Sequence, residues 1–590
     1  MENGLKDIKE LFSGLSIFNI PKYQRAYAWT KRQWDDFMGD IENHNIENKY
    51  FLGTILLQKN NATESDFEII DVVDGQQRIT TCIIFMKVLI EQLRRKTKEK
   101  TKVLEDTYIE YDEEYRLRVI ESDNDFFKSY ILGNKEGKEY IRTPSQRRLH
   151  QVKKYFEEKL SVLPSETLIE YKNKLHKNTQ VLTYAVGSPT EATLIFETTN
   201  DRGKSLTNLE KIKSFLMYKC FQTEKKNPDN LLIDIQSRFS EIYREFEKIS
   251  EQMDEDTVLR YHYIAFEPWK EKGDYQNVVR SLKERLNKII KQNKPAKAVQ
   301  LINDFSLSLK ESYMNMVALM EENNSVVRDL FVLDRMGNIF PLLLKAFRMD
   351  AENNYKDFYK IARLLEIYSF RVYAAGQRRG FTGQSQLYIL ARDFKGDYTA
   401  LATELKTLIS KYSWNGRLRE DLSSPYLYEE MTSGDLRYLF WKYENYLRQT
   451  QQPKWAKMGE KEIQTKSKKY QFTIEHIAPQ NPKETKVIAN KKAYPRMTAK
   501  FQEEFLHKLG NLTIDPQSAN SSKGRKEFKV KNSKYFIKAP LKIQNELEDF
   551  LPKKNKWNSD AIQNRTDNII EFTILHWDPE KVKIKEEVSK

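Results

Sequence analysis

The sequence has few cysteines and no long apolar run. Its two cysteines, Cys82 and Cys220, stand in apolar helical contexts, which is typical of buried free thiols in a reducing cytoplasm. No stretch approaches the roughly eighteen apolar residues of a membrane-spanning helix. The start, MENGLKDIKELF, has no apolar signal-peptide core. We therefore expect a cytoplasmic protein that has no membrane partner.

Two common binding signatures are also missing. No Walker phosphate loop occurs, and no set of cysteines and histidines has zinc-ligand spacing. The 590 residues are 39% hydrophobic and 12% aromatic, with a mean hydropathy of -0.72. This composition indicates a folded, water-soluble chain of about three or four domains.

The formal charge of +14 is concentrated towards the end of the sequence. Residues 451–590 contain 29 basic and 18 acidic side chains, an excess of +11. A basic segment of this kind favours a polyanionic partner such as nucleic acid. A lysine-rich solvated surface has the same composition, so the charge alone leaves both interpretations open.

Hydrophobic periodicity predicts a multidomain α+β protein. Residues 1–225 mix strand and helix patterns, with a helical excursion at about 97–150. Residues 226–430 show helical patterns, and their aromatic side chains fit a bundle core better than a ligand site. Within them, the loop 377–380 (QRRG) either touches DNA or is a solvated turn. Residues 431–590 begin with a helix and return to short strands.

The first 45 residues combine an extended segment with a helix. Pro21 disfavours helix for the residue before it, and an alternation of aromatic and basic residues predicts one face of an extended strand: Tyr23, Arg25, Tyr27 and Trp29. Thr30 can then N-cap a helix. The apolar positions of this helix fall at helical spacing: Trp34, Phe37, Met38 and Ile41.

A first candidate anion site follows two predicted strands, FLGTILLQ and FEIIDVVDG, where the sequence GQQR opens a helix that runs to about Leu93. Free backbone N–H groups at the helix start, together with Arg78, can hold a phosphate. Alternatively, Gly75 only makes the turn from strand to helix, and Arg78 pairs with Asp71 or Asp74.

A second site of this type follows the strand patterns TQVLTYAV and EATLIFETTN. The loop 200–205 (NDRGKS) carries two cations, and Thr207 and Glu210 then form a capping box that starts a helix. The inner face of this helix is predicted to hold Leu209, Ile212, Phe215 and Leu216. An ordinary capped turn would have the same pattern.

Four motifs, IPKYQRAYAW, FLGTILLQ, DVVDGQQRITT and FETTNDRGKSLTNLEKIK, together resemble the N-terminal domain of the GmrSD-type restriction systems. That domain is ParB/sulfiredoxin-like, has an α+β fold and hydrolyses nucleotides. The resemblance implies a pocket for a nucleoside triphosphate (GTP, ATP or another) and a metal, with Asp74 and Arg78 in catalysis. The other residues that it assigns to this pocket are Tyr23, Gln24, Arg25, Gly75, Gln76, Gln77, Asn200, Arg202 and Lys204. Glu210, with Asn208, stands where related chains usually have Asp, so the role of Glu210 stays open.

The segment 472–528 has the residue types of a metal-dependent phosphodiesterase. It reads FTIEHIAPQNP and, after an interval, HKLGNLTIDPQSANSSKGRKEF. A hard cation binds carboxylate and amide oxygens, and a neutral imidazole beside it can take a proton from water. Glu475 and His476 point to opposite faces of a strand, so both serve one site only where the strand ends. The alternative is an ordinary strand end followed by turn-forming asparagines.

This segment resembles the HNH nucleases, whose ββα-metal fold pairs an acidic ligand with an adjacent His. The eight residues between Asn511 and Asn520 match the HNH interval. The resemblance implies that Glu475 and Asn520 bind the metal. It further implies that His476 is the general base and that Asn511 pins the loop that orients it. Many HNH proteins have His where Asn520 stands, and an oxygen ligand there favours Mg²⁺ or Mn²⁺ over zinc.

Basic side chains follow Asn520 on the predicted metal-ligand helix. They are placed to hold phosphates on either side of the scissile bond: Lys523, Arg525, Lys526 and Lys529.

The two resemblances occur together in single-chain type IV restriction enzymes and related phage-defence nucleases. We therefore predict a metal-dependent endonuclease that nicks or cuts modified double-stranded phage DNA, regulated by NTP binding and hydrolysis in the N-terminal domain. One alternative is a nucleotide-responsive DNA-binding regulator, against which the intact HNH-like residues argue. The other is an RNase of abortive defence. The DNA modification, the preferred nucleotide and a possible homo-oligomer stay open.

Overall fold

The computed structural model describes residues 4–44, 49–64, 66–133, 135, 137, 140–186, 207–224, 228–464, 471–480, 499–552 and 556–584. The chain divides into two compact units. The N-terminal unit is Met1–Tyr263 with Glu267–Met320, and the C-terminal unit is Ile264–Phe266 with Glu321–Lys590. The division into domains 1–225, 226–430 and 431–590 stays a prediction, and its middle part falls in both units. No helix within the described ranges combines the length and the apolar character needed to cross a membrane.

The N-terminal unit is built on a mixed sheet. Its described strands are β1 (Gly4–Asp7), β2 (Ser16–Asn19), β3 (Tyr50–Glu64), β4 (Phe67–Asp74), β5 (Glu110–Tyr111), β6 (Glu114–Tyr115), β7 (Leu117–Arg118) and β8 (Thr179–Val186). Six of them form one sheet in the order β1-β8-β3-β4-β2-β7, while β5 and β6 form a separate hairpin. Strand β3 is antiparallel to β4 and parallel to β8. The strand predictions for FLGTILLQ, FEIIDVVDG and TQVLTYAV are confirmed.

The described helices that begin in this unit follow in chain order. They are α1 (Ile8–Phe12), α2 (Lys31–Asn43), α3 (Gln76–Lys96), α4 (Lys102–Tyr108), α5 (Glu121–Phe126), α6 (Pro144–Ser161), α7 (Ser165–Asn178), α8 (Asn208–Thr223), α9 (Pro228–Phe246), α10 (Glu255–Phe266), α11 (Lys272–Gln276), α12 (Val278–Lys291) and α13 (Pro295–Glu321). Helix α3 is apolar on nearly every side, so it is buried along most of its length and forms the centre of the core. Cys82 and Cys220 are both buried, as expected.

The predicted capping signals are confirmed. Thr30 forms a capping box with Gln33 at the start of α2, and Thr207 forms one with Glu210 at the start of α8. The apolar side chains predicted for the inner faces of the two helices are all buried. The second strand predicted before α8, EATLIFETTN, lies outside the described residues.

The segment between β2 and α2 is not a strand, contrary to its alternating pattern. The N–H of Gln24 donates to the carbonyl of Pro21 at 2.9 Å, which makes a turn. The backbone of residues 26–28 is hydrogen-bonded by the Gln77 side chain, which takes the place of a neighbouring strand. The alternating residues therefore lie in a loop whose backbone is held by a side chain of helix α3.

The segment 97–150 is also less uniform than expected. Besides helices α4, α5 and α6 it contains β5 to β7, and β7 pairs with β2 in the main sheet. Leu117 of β7 is fully buried. The prediction of helical surface excursions is therefore wrong for this part, because a strand of two residues is too short to show a two-residue period.

The C-terminal unit is mainly helical. Its described helices are α14 (Ser325–Leu333), α15 (Phe340–Met349), α16 (Lys356–Tyr368), α17 (Gln384–Asp393), α18 (Tyr398–Tyr412), α19 (Asn415–Leu422), α20 (Leu427–Glu430), α21 (Ser433–Thr450), α22 (Glu460–Ile463), α23 (Ala499–Glu504), α24 (Gln517–Lys523), α25 (Phe528–Lys531), α26 (Lys542–Asn545) and α27 (Ser559–His576). No strand occurs in the described residues from 228 to 430, as predicted. The rings of Phe370 and Trp577 stack in the core with their centroids 3.7 Å apart.

Two short strands interrupt this helical unit. Strands β9 (Phe472–His476) and β10 (Leu512–Pro516) form an antiparallel pair in which Glu475 lies opposite Thr513, and His476 opposite Leu512. Helix α24 follows β10 directly, so the local order is strand, strand, helix. The protein as a whole is α+β.

A close packing contact fixes the approach to β10. A Cβ atom on Gly510 would lie 2.1 Å from the carbonyl oxygen of Ile562 on α27, so only glycine fits there. The N–H of Gly510 donates to the hydroxyl of Thr566 at 3.0 Å. Helix α27 thereby fixes the backbone immediately before Asn511.

Candidate active site and candidate nucleotide pocket

His476 lies at the end of β9, where the chain bends away. Its side chain is buried, and its ring meets the ring of Tyr428 edge-on at 4.5 Å. Burial, reinforced by the nearby His507 and Lys531, lowers the pKa of His476 to about 3. The imidazole is therefore neutral at physiological pH, which is the form that can accept a proton.

Asn511 holds the loop that follows His476. Its Oδ1 accepts hydrogen bonds from the N–H of Ala478 at 2.8 Å and from the indole of Trp557 at 3.0 Å. Its Nδ2 donates to the carbonyls of Leu506 at 2.8 Å and of Ala478 at 3.3 Å. Asn511 is fully buried and uses both ends of its amide, so its hydrogen bonds hold the bend after His476 in one conformation.

Glu475, the predicted acidic metal ligand, is buried and paired with a lysine. The ammonium of Lys531 donates to Glu475 Oε1 at 2.6 Å and to the carbonyl of His476 at 2.7 Å. Burial raises the pKa of Glu475 and lowers that of Lys531, while their mutual attraction opposes both changes. Lys531 was not identified from the sequence, where it is one more lysine in a basic segment.

Asn520 lies on α24 next to β9. Its Nδ2 donates to the hydroxyl of Thr473 at 2.8 Å and to the carbonyl of Ile474 at 3.3 Å. These bonds use the amide nitrogen, so the carbonyl oxygen of Asn520 is the atom suited to a cation. Asn520 and Glu475 are both attached to β9, one by hydrogen bonds and the other by the chain.

The four basic residues predicted to bind DNA do not share one position. Helix α24 ends at Lys523, whose ammonium is buried against Asp515 at 2.9 Å and Gln544 at 3.1 Å. A phosphate cannot reach Lys523 in this position, so the prediction for it is wrong: its charge neutralises a buried carboxylate. Arg525 and Lys529 are exposed, and Lys526 is half-buried and donates to the carbonyl of Ser522.

The donor set next to β9 suits a hard divalent cation. Glu475 and Asn520 both offer oxygen, the ligand atom that Mg²⁺ and Mn²⁺ prefer. The ion pair with Lys531 involves Oε1 of Glu475. No cluster of three or more His, Cys, Asp or Glu side chains with metal-binding geometry occurs in the described part of the chain. The proposed cation site thus depends on one carboxylate and one amide.

His507 is a second imidazole at this site that the sequence did not indicate. Its Nδ1 lies 3.2 Å from Nε2 of His476, and the ring of Tyr428 stacks on it at 5.6 Å. In the sequence, Lys508 is the one residue between His507 and Leu509-Gly510-Asn511. His507 is otherwise an isolated histidine.

In the N-terminal unit, the strand–turn–helix of β4 and α3 has the predicted form. Gly75 adopts φ 90°, and a Cβ there would lie 3.0 Å from the Ile55 side chain. Arg78 reaches back to Asp74, with 3.5 Å between Nη2 and Oδ2. A Cβ on Gly53 would lie 1.9 Å from Arg78 Nη1, so the guanidinium lies directly over that glycine. Of the two pairing partners considered for Arg78, Asp74 is the one observed.

The glutamines around this turn have separate environments. Gln77 Oε1 accepts from the N–H of Ala28 at 2.9 Å, and Gln77 Nε2 donates to the carbonyl of Ala26 at 3.2 Å. Gln24 donates to the carbonyl of Val73 at 2.7 Å. The Oε1 of Gln76 is buried without a hydrogen-bond partner in the described structure. Gln76 thus differs from Gln77, whose amide is hydrogen-bonded at both ends.

Arg25 joins a partly buried group of charges contributed by distant segments. Its guanidinium lies 3.0 Å from Glu210 on α8 and 3.7 Å from Glu255 on α10. Although burial opposes it, the attraction of Glu210 and Glu255 raises the pKa of Arg25. Burial raises the pKa of Glu255 to about 7. Glu210, whose role was open from the sequence, thus caps α8 and pairs with Arg25.

Lys213 completes this group from the next turn of α8. Its ammonium donates to the carbonyl of Tyr23 at 3.1 Å and lies 5.4 Å from the centre of the Tyr23 ring. Burial lowers the pKa of Lys213 to about 8, although Glu210 and Asp74 nearby oppose this change. Lys213 and Glu255 could not be identified from sequence, because both stand in ordinary helical patterns.

The predicted pocket residues that the structure describes therefore lie close together in the N-terminal unit. Tyr23, Arg25, Asp74, Arg78 and Lys213 are linked by contacts or by electrostatic interactions. Asn200, Arg202 and Lys204 lie outside the described residues.

Comparison with known families agrees with both regions. The family model of the GmrSD restriction endonuclease N-terminal domain matches residues 8–217, and that of the GmrSD restriction endonuclease C-terminal domain matches residues 413–572. No curated protein matches the chain. The two family matches together cover more than half of the sequence, in the order of the two candidate sites. The chain belongs to the GmrSD restriction endonucleases, and it is a DNA-binding nuclease of phage defence.

Proposed function

We propose that this protein is a metal-dependent, HNH-type endonuclease that cuts modified double-stranded DNA, and that NTP binding and hydrolysis in its N-terminal unit regulate the cut. The observation that supports the nuclease site best is the position of the neutral His476. It stands at a strand end beside Glu475, with Asn520 on the helix after the second strand. In this proposal, the base and one oxygen ligand belong to one strand, and the second oxygen ligand lies next to it.

In the proposed reaction, His476 takes a proton from a water molecule whose oxygen attacks the phosphorus. The bond from phosphorus to the leaving oxygen then breaks. Glu475 and Asn520 would hold a divalent cation, which stabilises negative charge on the phosphate when bound. Arg525 and Lys529, which are exposed beyond α24, would contact the flanking phosphates.

The N-terminal unit has the charges that an NTP requires. Arg78 and Arg25 can contact phosphate oxygens, and Lys213 adds a third buried cation nearby. The carboxylate of Asp74 is suited to a metal that accompanies the nucleotide. The unpaired amide oxygen of Gln76 can accept a hydrogen bond from the ligand. Recognition of modified DNA is proposed from the resemblance to type IV restriction enzymes.

The decisive experiment measures cleavage of matched unmodified and modified phage DNA with Mg²⁺ or Mn²⁺, with and without NTPs. His476→Ala should reduce cleavage by about 10²-fold or more, since a general base contributes about that much. The same variant should keep wild-type NTP turnover, because His476 is not part of the N-terminal unit. Cleavage by His476→Ala at the wild-type rate would show that the assigned base is wrong.

Arg78→Ala tests the nucleotide pocket in the same assays. It should abolish NTP hydrolysis, whereas Arg95→Ala, an exposed arginine near the end of the same helix, should leave it unchanged. If NTP turnover regulates cleavage, Arg78→Ala also changes the response of cleavage to NTP. Tight binding of modified DNA without cleavage under any condition would instead favour a DNA-binding regulator.

A further inference from the structure

Two imidazoles and one carboxylate form a chain at the candidate nuclease site. Nε2 of His476 lies 3.2 Å from Nδ1 of His507, and Nε2 of His507 lies 3.6 Å from Oε1 of Glu429 on α20. Each histidine thus has one ring nitrogen directed at the next group. We propose that His507 and Glu429 are positioning residues that fix the tautomer of His476, an inference that rests on the proposed role of His476 as the base.

With both imidazoles neutral, the geometry allows two arrangements of the protons. In the first, His507 carries its proton on Nε2, facing Glu429, and its Nδ1 accepts a hydrogen bond from Nε2–H of His476. In the second, His507 carries its proton on Nδ1 and donates it to Nε2 of His476. A neutral imidazole has only one N–H, so the first arrangement leaves Nδ1 of His476 free, and the second leaves it protonated.

Glu429 favours the first arrangement, although its 3.6 Å distance from Nε2 of His507 is longer than a hydrogen bond. A carboxylate accepts hydrogen bonds and does not donate them when ionised, so it favours a proton on Nε2 of His507. His507 then can only accept at Nδ1, and His476 must donate from Nε2. The lone pair of His476 Nδ1 is left to take the proton of the attacking water. In serine proteases, a carboxylate holds the catalytic imidazole in its working tautomer by the same logic.

The backbone supports this chain from both sides. The N–H of Tyr428 donates to the carbonyl of His507 at 3.2 Å, so a backbone hydrogen bond joins α20 to the turn that carries His507. The Tyr428 ring contacts both imidazoles, stacking on His507 and meeting His476 edge-on. Glu429 itself is 62% exposed, which makes its effect smaller than that of His507.

One further side chain faces the same nitrogen. The amide nitrogen of Gln480 is 3.4 Å from Nε2 of His476. An amide can present either its N–H₂ or its oxygen, because the two ends differ only by a rotation of the group. With the oxygen towards His476, Gln480 accepts from the same Nε2–H and agrees with the first arrangement.

The tautomer is tested directly by NMR of protein labelled with ¹⁵N-histidine. The chain has seven histidines, and loss of signals in His476→Gln assigns those of His476. The proposal expects His476 of the full-length wild type to be protonated at Nε2 and unprotonated at Nδ1. Protonation at Nδ1 would overturn it. This readout needs no DNA, so it fails independently of the proposed nuclease function.

Kinetics of modified-DNA cleavage provide the second test. His507→Leu should lower kcat about tenfold or more without changing KM for DNA, in the range found when partners of functional histidines are removed. His507→Gln, whose carbonyl can still accept from His476 Nε2, should recover most of this loss. Glu429→Gln should lower kcat a few-fold in the wild type and have no further effect in His507→Gln. A wild-type kcat in a folded His507→Leu variant would contradict the proposal.

Discussion

In both candidate sites, the side-chain amide of one residue holds a loop in place. The charges around the two loops differ. In the N-terminal unit, the amide of Gln77 bonds the backbone of Ala26 and Ala28. In the C-terminal unit, the amide of Asn511 bonds both backbone groups of Ala478. A primary amide suits this purpose because it donates and accepts in one plane, and neither group changes its charge with pH.

The side-chain amides of Gln77 and Asn511 are the two clamps, and their surroundings differ in charge. The loop held by Gln77 carries Arg25, which lies beside the partly buried carboxylates of Glu210 and Glu255 and near Lys213. The loop held by Asn511 follows His476, which burial keeps neutral. Cations such as Arg25 and Lys213 can attract a polyphosphate, whereas a proton acceptor must be uncharged before the reaction. The comparison shows that loop geometry and local charge are set by separate residues.

The largest effect is expected when the C-terminal clamp is removed. Asn511→Ala leaves the N–H of Ala478 and the indole of Trp557 unpaired in the core, which should cost about 2–4 kcal/mol of stability. The freed loop should also lower cleavage by about 10²-fold. Chemical denaturation and single-turnover cleavage measure the two effects. A loss of stability without a loss of kcat would show that the loop does not orient His476.

Removal of the N-terminal clamp should have a smaller effect, because residues 26–28 are also held by other contacts, such as that of Tyr27 with Thr81. Gln77→Ala should reduce NTP turnover about tenfold and stability by about 1–2 kcal/mol. Gln92→Ala is the matched control, since it truncates another buried glutamine on α3, far along the helix from Gly75. Equal NTP turnover in the two variants would show that the hydrogen bonds of Gln77 do not affect the nucleotide pocket.

The neutral His476 predicts a pH dependence of stability. Its pKa is about 3 in the folded protein, below its ordinary value of 6.5, so the unfolded chain binds the extra proton. The stability from this group is complete above about pH 6.5 and falls by about 1.4 kcal/mol per pH unit below it. His476→Gln should remove this loss. The free energy of unfolding of both proteins between pH 7 and pH 5 tests it, and parallel curves would contradict it.

The smallest effect concerns Lys213. With a pKa of about 8, its ammonium is charged at pH 7 and mostly neutral at pH 9. If it contributes to phosphate binding, affinity for a non-hydrolysable NTP analogue should fall about threefold or more as the pH rises through 8. Lys213→Arg keeps a charge over this range and should flatten the curve. The same slope in both proteins would assign the titration to another group.

Much of both sites could be predicted from local patterns. The turn at Gly75, the capping boxes of Thr30 and Thr207 and the strand that ends at His476 depend on residues that are neighbours in the sequence. Backbone conformation and capping are set within a few residues, so such signals can be read directly. The order of the motifs also indicated the family correctly.

The partners of these residues could not be predicted. Glu255 and Lys213 reach Arg25 from helices about two hundred residues away, and His507 reaches His476 across a long connection. Lysines illustrate the reason best. Lys523, Lys531 and Lys529 look alike in the sequence, yet two are buried against carboxylates and one is exposed. Local sequence is enough to predict most of the elements and the residues that can do chemistry. Which charges meet follows from folding, because burial and pairing depend on neighbours that are distant in the sequence.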